Sequence, residues 1–288
     1  MNIRDFIDLH VHIGPEPIPR KFTLEKLVDE ENGKLSGMAL KNHFYPTTPF
    51  VKNLQSASNL VLIGSVVLNN YVGGLNPDAV YCAAKISDRP IIVWFPTINA
   101  DNFLRMSKYE VRPEWSDGKF KSRPSSEIKG IRITTGSGKL TESARSVLMM
   151  IRENNSILAT GHISAAETKV LVSSALDLGI NKIIITHPMY QLIDMPLDEQ
   201  GEISKEKGVY IEIPYSMHAI DKIKVNDLVK TIRKAGASKS IISSDVGQIN
   251  MPGPSASLEE FTRLLQIEGI DENSLRQMGA INPGKLIR

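Results

Sequence analysis

Asp8-Leu9-His10-Val11-His12-Ile13-Gly14 is the stretch from which the rest of this chain is read. Phe6 and Ile7 lead into it with apolar, β-favouring side chains, and alternation with a period of two predicts Asp8, His10 and His12 on one face of a strand. Gly14 and Pro15 end that strand, so the two imidazoles stand at its C-terminal end, where a loop to a helix begins. Parallel α/β folds carry their chemistry at that end. An isolated His-x-His is as readily a pair of hydrogen-bonded core residues, and the remaining strands decide between the two.

Outward from this stretch, apolar runs ended by Gly, Pro or polar residues predict further strands. They cover Gly37 to His43, Leu60 to Leu68, Pro90 to Phe95, Ile157 to His162, Lys182 to His187, Gly208 to Ile213 and Ser240 to Asp245. Helical signals lie between them. Thr23 to Glu31 and Pro46 to about Ser58 read as helices, and Asn76-Pro77-Asp78 reads as a cap for a helix to Ile86. Another helix starts from Thr141; Ser164 with Glu167 predicts a capping box for one ending near Gly179, and Ser257 with Glu260 caps the last. Eight strands, each followed by a helix, predict an α/β fold of the (β/α)8 TIM-barrel type, in one domain spanning 1–288. A doubly wound open sheet is the alternative. Ile98 to Glu127 breaks the rhythm with Trp115 and the turn pair Asp117-Gly118, and is read as a lid over a site. Lys129 to Leu140, around Gly136-Ser137-Gly138, is read as a β-hairpin after strand four; nothing else of a phosphate-binding motif accompanies the two glycines.

Composition narrows the partners. The 288 residues are 41% hydrophobic and 23% charged with a net charge of +2, ordinary values for a soluble globular chain. A small, scattered charge gives no electrostatic case for nucleic acid or an anionic membrane, and there is no apolar run long enough for a span. Asp5 and Asp8 fall too early for a signal peptide, and Cys82, the single cysteine, cannot form an internal disulfide; a reducing cytoplasm is expected. The expected partner is a small-molecule substrate, with a homo-oligomer also open.

Five of the six histidines fall at predicted strand ends: His10, His12, His43, His162 and His187. Asp245 ends the eighth strand. In a closed barrel these ends share one mouth, and four imidazoles with an aspartate make a site for one or two divalent metals. That donor set suits zinc first, then manganese, nickel or iron, and the absence of thiolates speaks against a structural zinc. Taken singly, Asp245 would more often be a helix cap and His162 or His187 a buried histidine bonded to a backbone carbonyl. Glu212 alternates away from Ile211 and Ile213 and is either a mouth residue or a paired structural acid. His218, with Ser216 and Asp221, is solvated or substrate-facing, and Arg132 on the hairpin is the nearest arginine to the strand ends.

With His10-Val11-His12 on strand one, single histidines at His162 and His187 on strands five and six, and Asp245 on strand eight, the sequence resembles the amidohydrolase superfamily over nearly its whole length; Asn282-Pro283-Gly284-Lys285-Leu286 resembles the end of many members. The resemblance to the phosphotriesterase-like and TatD-like branches is loose. It implies a metal-dependent hydrolase acting on a C–N or C–O bond of an amide, cyclic amide, lactone or ester through a metal-activated water. His10, His12, His162 and His187 would hold metal, and Asp245 would ligate and act as general base and then acid. Asp8 would orient a ligand imidazole or form a salt bridge in the barrel. Ile91 to Phe95 offers no Lys or Glu where those branches carry a metal-bridging residue on strand four. Lys41, on the same face of strand two as His43, is then expected either as a carboxylated lysine bridging two metals or as an ammonium that binds an anionic group beside a single metal. His43 is expected as a substrate contact with a catalytic part, and Glu212, Arg132 and His218 as further substrate contacts. A mononuclear decarboxylase or lyase, a phosphoesterase and a non-catalytic metal- or metabolite-binding barrel are the alternatives.

Overall fold

Short parallel strands follow the expected order in the computed structural model, which describes residues 1–116 and 120–288; the turn expected at Asp117-Gly118 lies outside the described residues. They are β1 (Ile7–His12), β2 (Gly37–Lys41), β3 (Val61–Ile63), β4 (Ser65–Val67), β5 (Ile92–Trp94), β6 (Ile157–Ala159), β7 (Ile183–Ile185), β8 (Val209–Pro214) and β9 (Ser240–Ser243). β3 and β4 are the expected third strand, divided at Gly64. A Cβ at Gly64 would lie 2.4 Å from Thr48 Cγ2, so glycine lets the helix Thr48–Leu54 seat against the strand. The division also changes partners: β3 pairs with β2, and β4 pairs with β5.

Two parallel runs result, β1-β2-β3 and β4 through β9. Their outer edges meet where Asp245 N donates to His10 O and His12 N donates to Val246 O, both at 2.8 Å. The strands thus form the (β/α)8 arrangement, with their C-terminal ends on one rim. Helices fall between them and after the last, at Leu24–Glu31, Thr48–Leu54, Pro77–Ile86, Glu142–Glu153, Ala165–Asp177, Leu197–Ser204, Val225–Ala235 and Pro254–Ile267.

Burial divides at the sheet. Ile7, Leu9, Ala39, Ile63, Ile92, Ile157, Ile184 and Ile241 fill the interior, with Leu286 and Ile287 in the same cluster. Alternate residues such as Met38, Leu40, Val93, Leu158 and Ile242 pack outward with the helices. That two-sided burial is why the strands read as continuous apolar runs.

Local signals account for several helix starts. The Asn76 side chain accepts from Asp78 N, and Ser164 with Glu167 closes a full capping box; each cap contributes about 1 kcal/mol. Ser257, expected as a cap, lies inside its helix. That helix starts instead at Pro254, which suits the first helical position because its φ is preset and its missing N–H would have no helical partner.

The expected hairpin is present in short form, with Thr141 N donating to Ile133 O at 2.8 Å. Residues 129–140 make a single antiparallel bridge, Thr134 to Leu140, with Thr135 N donating to Lys139 O at 2.8 Å. Its first arm is drawn away, since Ile131 N donates to Asn99 O and Asp101 N to Ile131 O. The lid segment, which contains the helix Asp101–Met106, takes the pairing that a longer hairpin would need. Among the described residues no helix is long and apolar enough to cross a membrane.

Candidate functional site

β1 carries one residue more than β2 between Asp8 and Val11, since Asp8 faces Met38 and Val11 faces Leu40. This bulge breaks the strict alternation that grouped Asp8 with the histidines. The Asp8 carboxylate turns to the backbone instead, accepting from His10 N and Ser244 N at 3.1 Å each. It pins β1 to the turn after β9, not an imidazole, and burial pushes its pKa up to about 7.

Other site residues stand just past the last laddered residue of their strands. Gly161 adopts φ +66, and a Cβ there would meet Phe95 O at 2.3 Å, so only glycine lets the chain turn to deliver His162. His187 (φ +24) and Asp245 (φ +52) occupy left-handed conformations without being glycine. Such backbone costs on the order of 1–3 kcal/mol and persists where surrounding structure enforces it. At Asp245 the bond from its N to His10 O does so.

The side chains form one connected network. His10 Nδ1 donates to Glu212 Oε1 at 2.8 Å, which leaves Nε2 as the free lone pair. Lys41 Nζ donates to that Nε2 at 2.9 Å, and Asp245 Oδ1 lies 3.0 Å from it. His12 has the opposite tautomer: Arg20 Nη2 donates to Nδ1 at 3.2 Å, and Nε2 donates to Asp245 Oδ1 at 3.0 Å. Ser216 Oγ donates to Asp245 Oδ2 at 2.7 Å. Burial alone would raise the Asp245 pKa, but His10 and His12 outweigh it and hold the carboxyl well below its usual range. Burial likewise pulls against His10, yet Asp245 and Glu212 hold its pKa above the ordinary value. Lys41 is drawn down to about 8, by burial against the pull of the same carboxylates, and remains largely an ammonium at neutral pH. Its Nζ sits 4.1 Å from the centre of the Trp94 ring, whose negative face stabilises a cation by about 2 kcal/mol when water is excluded.

Facing this network across a small cavity are His43, His162 and His187, with Trp115 and Tyr190 beside them. Desolvation holds His43 and His162 well below the usual imidazole pKa and His187 at about 4, so these three are neutral. Asn69 Nδ2 donates to Thr97 Oγ1, whose hydroxyl can then donate to His43 Nδ1 at 3.0 Å. His43 thereby presents Nε2–H to the cavity. The segment read as a lid contributes Trp115, and Arg112 ties it across the mouth by donating to Tyr190 Oη at 2.9 Å and Asp221 Oδ1 at 3.2 Å.

Three expected substrate contacts lie elsewhere. Glu212 is buried beneath His10, where its Oε1 also accepts from Ser243 Oγ, so it supports the imidazole and does not face the cavity. Arg132 is 65% exposed and its Nε donates to Asp101 Oδ2, because the lid helix brings that carboxylate to it. His218 is turned back on its own loop, with Nδ1 against Ile223 O at 3.0 Å. Arg20, Trp94, Ser216 and Gln248 also line or support the cavity, with little in the order of residues to announce them. Arg20 and Glu16 lie four apart in a loop with prolines at Pro15, Pro17 and Pro19, a stiff acid–base pair directly after the histidine strand.

The donor atoms fit a divalent ion. One ligand atom each from His10, His12 and Asp245 lies within 4.8 Å of the others, and a metal can be held by this group. Nδ1 of His162 and Nδ1 of His187 are buried with no hydrogen-bond partner among the described residues, as nitrogens kept for another purpose would be. Imidazole with carboxylate is a donor set for transition ions. Ligation by Nε2 of both β1 histidines requires Lys41 to release His10 and the His12 proton to move to Nδ1.

Fold and site together define a chain with the fold of the amidohydrolase superfamily. Its architecture is similar to an amidohydrolase from Pseudomonas aeruginosa (TM-score 0.60, 8% identity, 98% of this chain and 94% of that one). It is similar also to the probable dipeptidase PvdM from the same organism (0.63, 12%, 98% and 94%). A dihydroxybenzoic acid decarboxylase from a Polaromonas species, with bound manganese and the inhibitor 2-nitroresorcinol, superposes at 0.54 with 12% identity over 99% and 97%. By sequence the chain belongs to a family described as Family of unknown function (DUF6282), whose model matches residues 5–212. That span takes in His10, His12, Lys41, His43, His162, His187 and Glu212 and ends before Asp245. No curated protein matches the sequence.

Proposed function

We propose that this protein is a metal-dependent hydrolase that cleaves a C–N or C–O bond in a small amide, cyclic amide, lactone or ester. The observation that carries this is Asp245, an ionised carboxylate lining the cavity, held by His12 and Ser216 and 3.0 Å from His10 Nε2. His10, His12 and Asp245 would hold the ion, with His162 and His187 opposite; zinc suits the donors first, and manganese, nickel or iron also fit. A divalent cation bound there supplies a Lewis acid for the scissile carbonyl and lowers the pKa of an attacking water toward ~7.

The chain's own groups do the rest. Asp245 takes the proton at a carboxylate oxygen and returns it to the leaving nitrogen or oxygen, while Ser216 fixes the carboxylate plane. His43 Nε2–H is the donor available to a substrate oxygen. Trp115 and Tyr190 cover the mouth and exclude bulk water. Lys41 acts as an ammonium beside one ion, because a carbamate would put negative charge against the face of Trp94.

A single-metal site of this kind also favours a second reading, a decarboxylase, like the manganese-bound structural neighbour. Turnover of a panel of amides, lactones, esters and aromatic acids in heavy-oxygen water separates the two. Label entering the product, dependent on added metal and lost in Asp245→Asn, is the expected result. Release of carbon dioxide without label would replace the hydrolase by the decarboxylase.

A further inference from the structure

Arg20 is a buried guanidinium that the proposed chemistry leaves unused. Its side chain is 3% exposed, yet it lines the cavity. Nε donates to Glu16 Oε1 at 2.5 Å and Nη2 donates to His12 Nδ1 at 3.2 Å, but Nη1 is buried with no hydrogen-bond partner among the described residues. A buried guanidinium nitrogen without an acceptor is unfavourable unless something fills the place. Backbone pairing of Arg20 with Gln248 brings a second orphan beside it: Gln248 also lines the cavity, and its Oε1 has no partner. Glu16 is already committed, since its other oxygen accepts from His43 N at 3.2 Å. Arg20 therefore reaches the cavity across His12 from Asp245, one imidazole away from the carboxylate assigned to proton transfer.

We propose that Arg20 anchors a carboxylate of the substrate, so that this cavity takes small organic acids and their derivatives in preference to neutral compounds. The inference rests on the proposed active site and names its substrate class. A planar carboxylate matches the guanidinium edge and accepts from Nη1, and Gln248 meets a hydroxyl or N–H next to that carboxylate. Metal binding sharpens the anchor. Ligation through His12 Nε2 puts a proton on Nδ1, which can no longer accept from Arg20, and Nη2 is released to join Nη1 toward the same anion.

The test is isothermal titration of the metal-loaded protein with propionate and with its neutral isostere propionamide. Wild type is compared with Arg20→Met, Arg20→Lys and Glu16→Gln, with metal content and circular dichroism recorded for each sample. The expected result is binding of propionate but not propionamide, weakened about tenfold or more in Arg20→Met and by a smaller factor in Arg20→Lys. Glu16→Gln should bind propionate more tightly than wild type, because the competing carboxylate is gone; a purely structural Arg20–Glu16 pair would give weaker binding. Propionate affinity within twofold of wild type in Arg20→Met with metal retained would overturn the proposal, since the anion would then sit on the metal or Lys41. If Arg20→Met fails to fold or loses its metal, Glu16→Gln decides: tighter binding supports the anchor, and unchanged or weaker binding overturns it. Wild type without metal counts against the proposed function, and the same titrations still decide the role of Arg20.

Discussion

The two walls of the cavity differ in how their polar atoms are satisfied. On the β1–β9 side, His10, Lys41, Glu212, Ser216 and Asp245 are linked by contacts of 2.7–3.0 Å, with Glu212 Oε2 the atom of that group left without a partner among the described residues. On the far side His162 Nδ1 and His187 Nδ1 are buried without partners, and Arg20 Nη1 and Gln248 Oε1 share that condition at the edge. A linked network fixes geometry, because each side chain in it has one favourable orientation. An unsaturated one is where a ligand atom gains most, because burial has already removed the water that would compete. The first wall is thus the instrument and the second the receiver.

Replacing Asp245 by Asn should break this division most severely. The amide keeps a coordinating oxygen but cannot take a proton, so kcat/KM on the substrate found by screening should fall by ~10²-fold or more with the circular dichroism spectrum unchanged. Retained turnover would remove Asp245 from proton transfer. Glu212→Gln should act at one remove. Loss of the charged acceptor under His10 Nδ1 should weaken metal affinity by about 10–100-fold, read by competition with a chelator. Metal affinity equal to wild type would mean that the linked wall is scaffold and nothing more. Arg132→Ala and His218→Asn lie outside both walls, and each should leave kcat/KM within about twofold, as surface changes away from a site do. A large effect from either would redraw the cavity.

Much of this was legible from residue order. Apolar runs ended by Gly or Pro mark the strands because two-sided burial demands such runs, and His10, His12, His43, His162, His187 and Asp245 follow from their place at the strand ends. What escaped depends on partners distant in sequence. The bulge in β1 is set by its register against β2, and a one-residue shift changes which face a side chain takes. Glu212 becomes a support for His10 only when strands 202 positions apart are brought together. Arg20 meets Gln248 through a bridge closed at the mouth. Arg132 was drawn off by Asp101, on a lid whose pairing no periodicity reports.

Metal content bears most directly on the central claim that His10, His12 and Asp245 form a metal centre at the rim. Elemental analysis of purified wild type, set beside a His10→Ala, His12→Ala double variant prepared identically, should find a transition metal bound to the first and absent from the second. Equal metal in both, or none in a wild type supplied with zinc and manganese, would contradict the account.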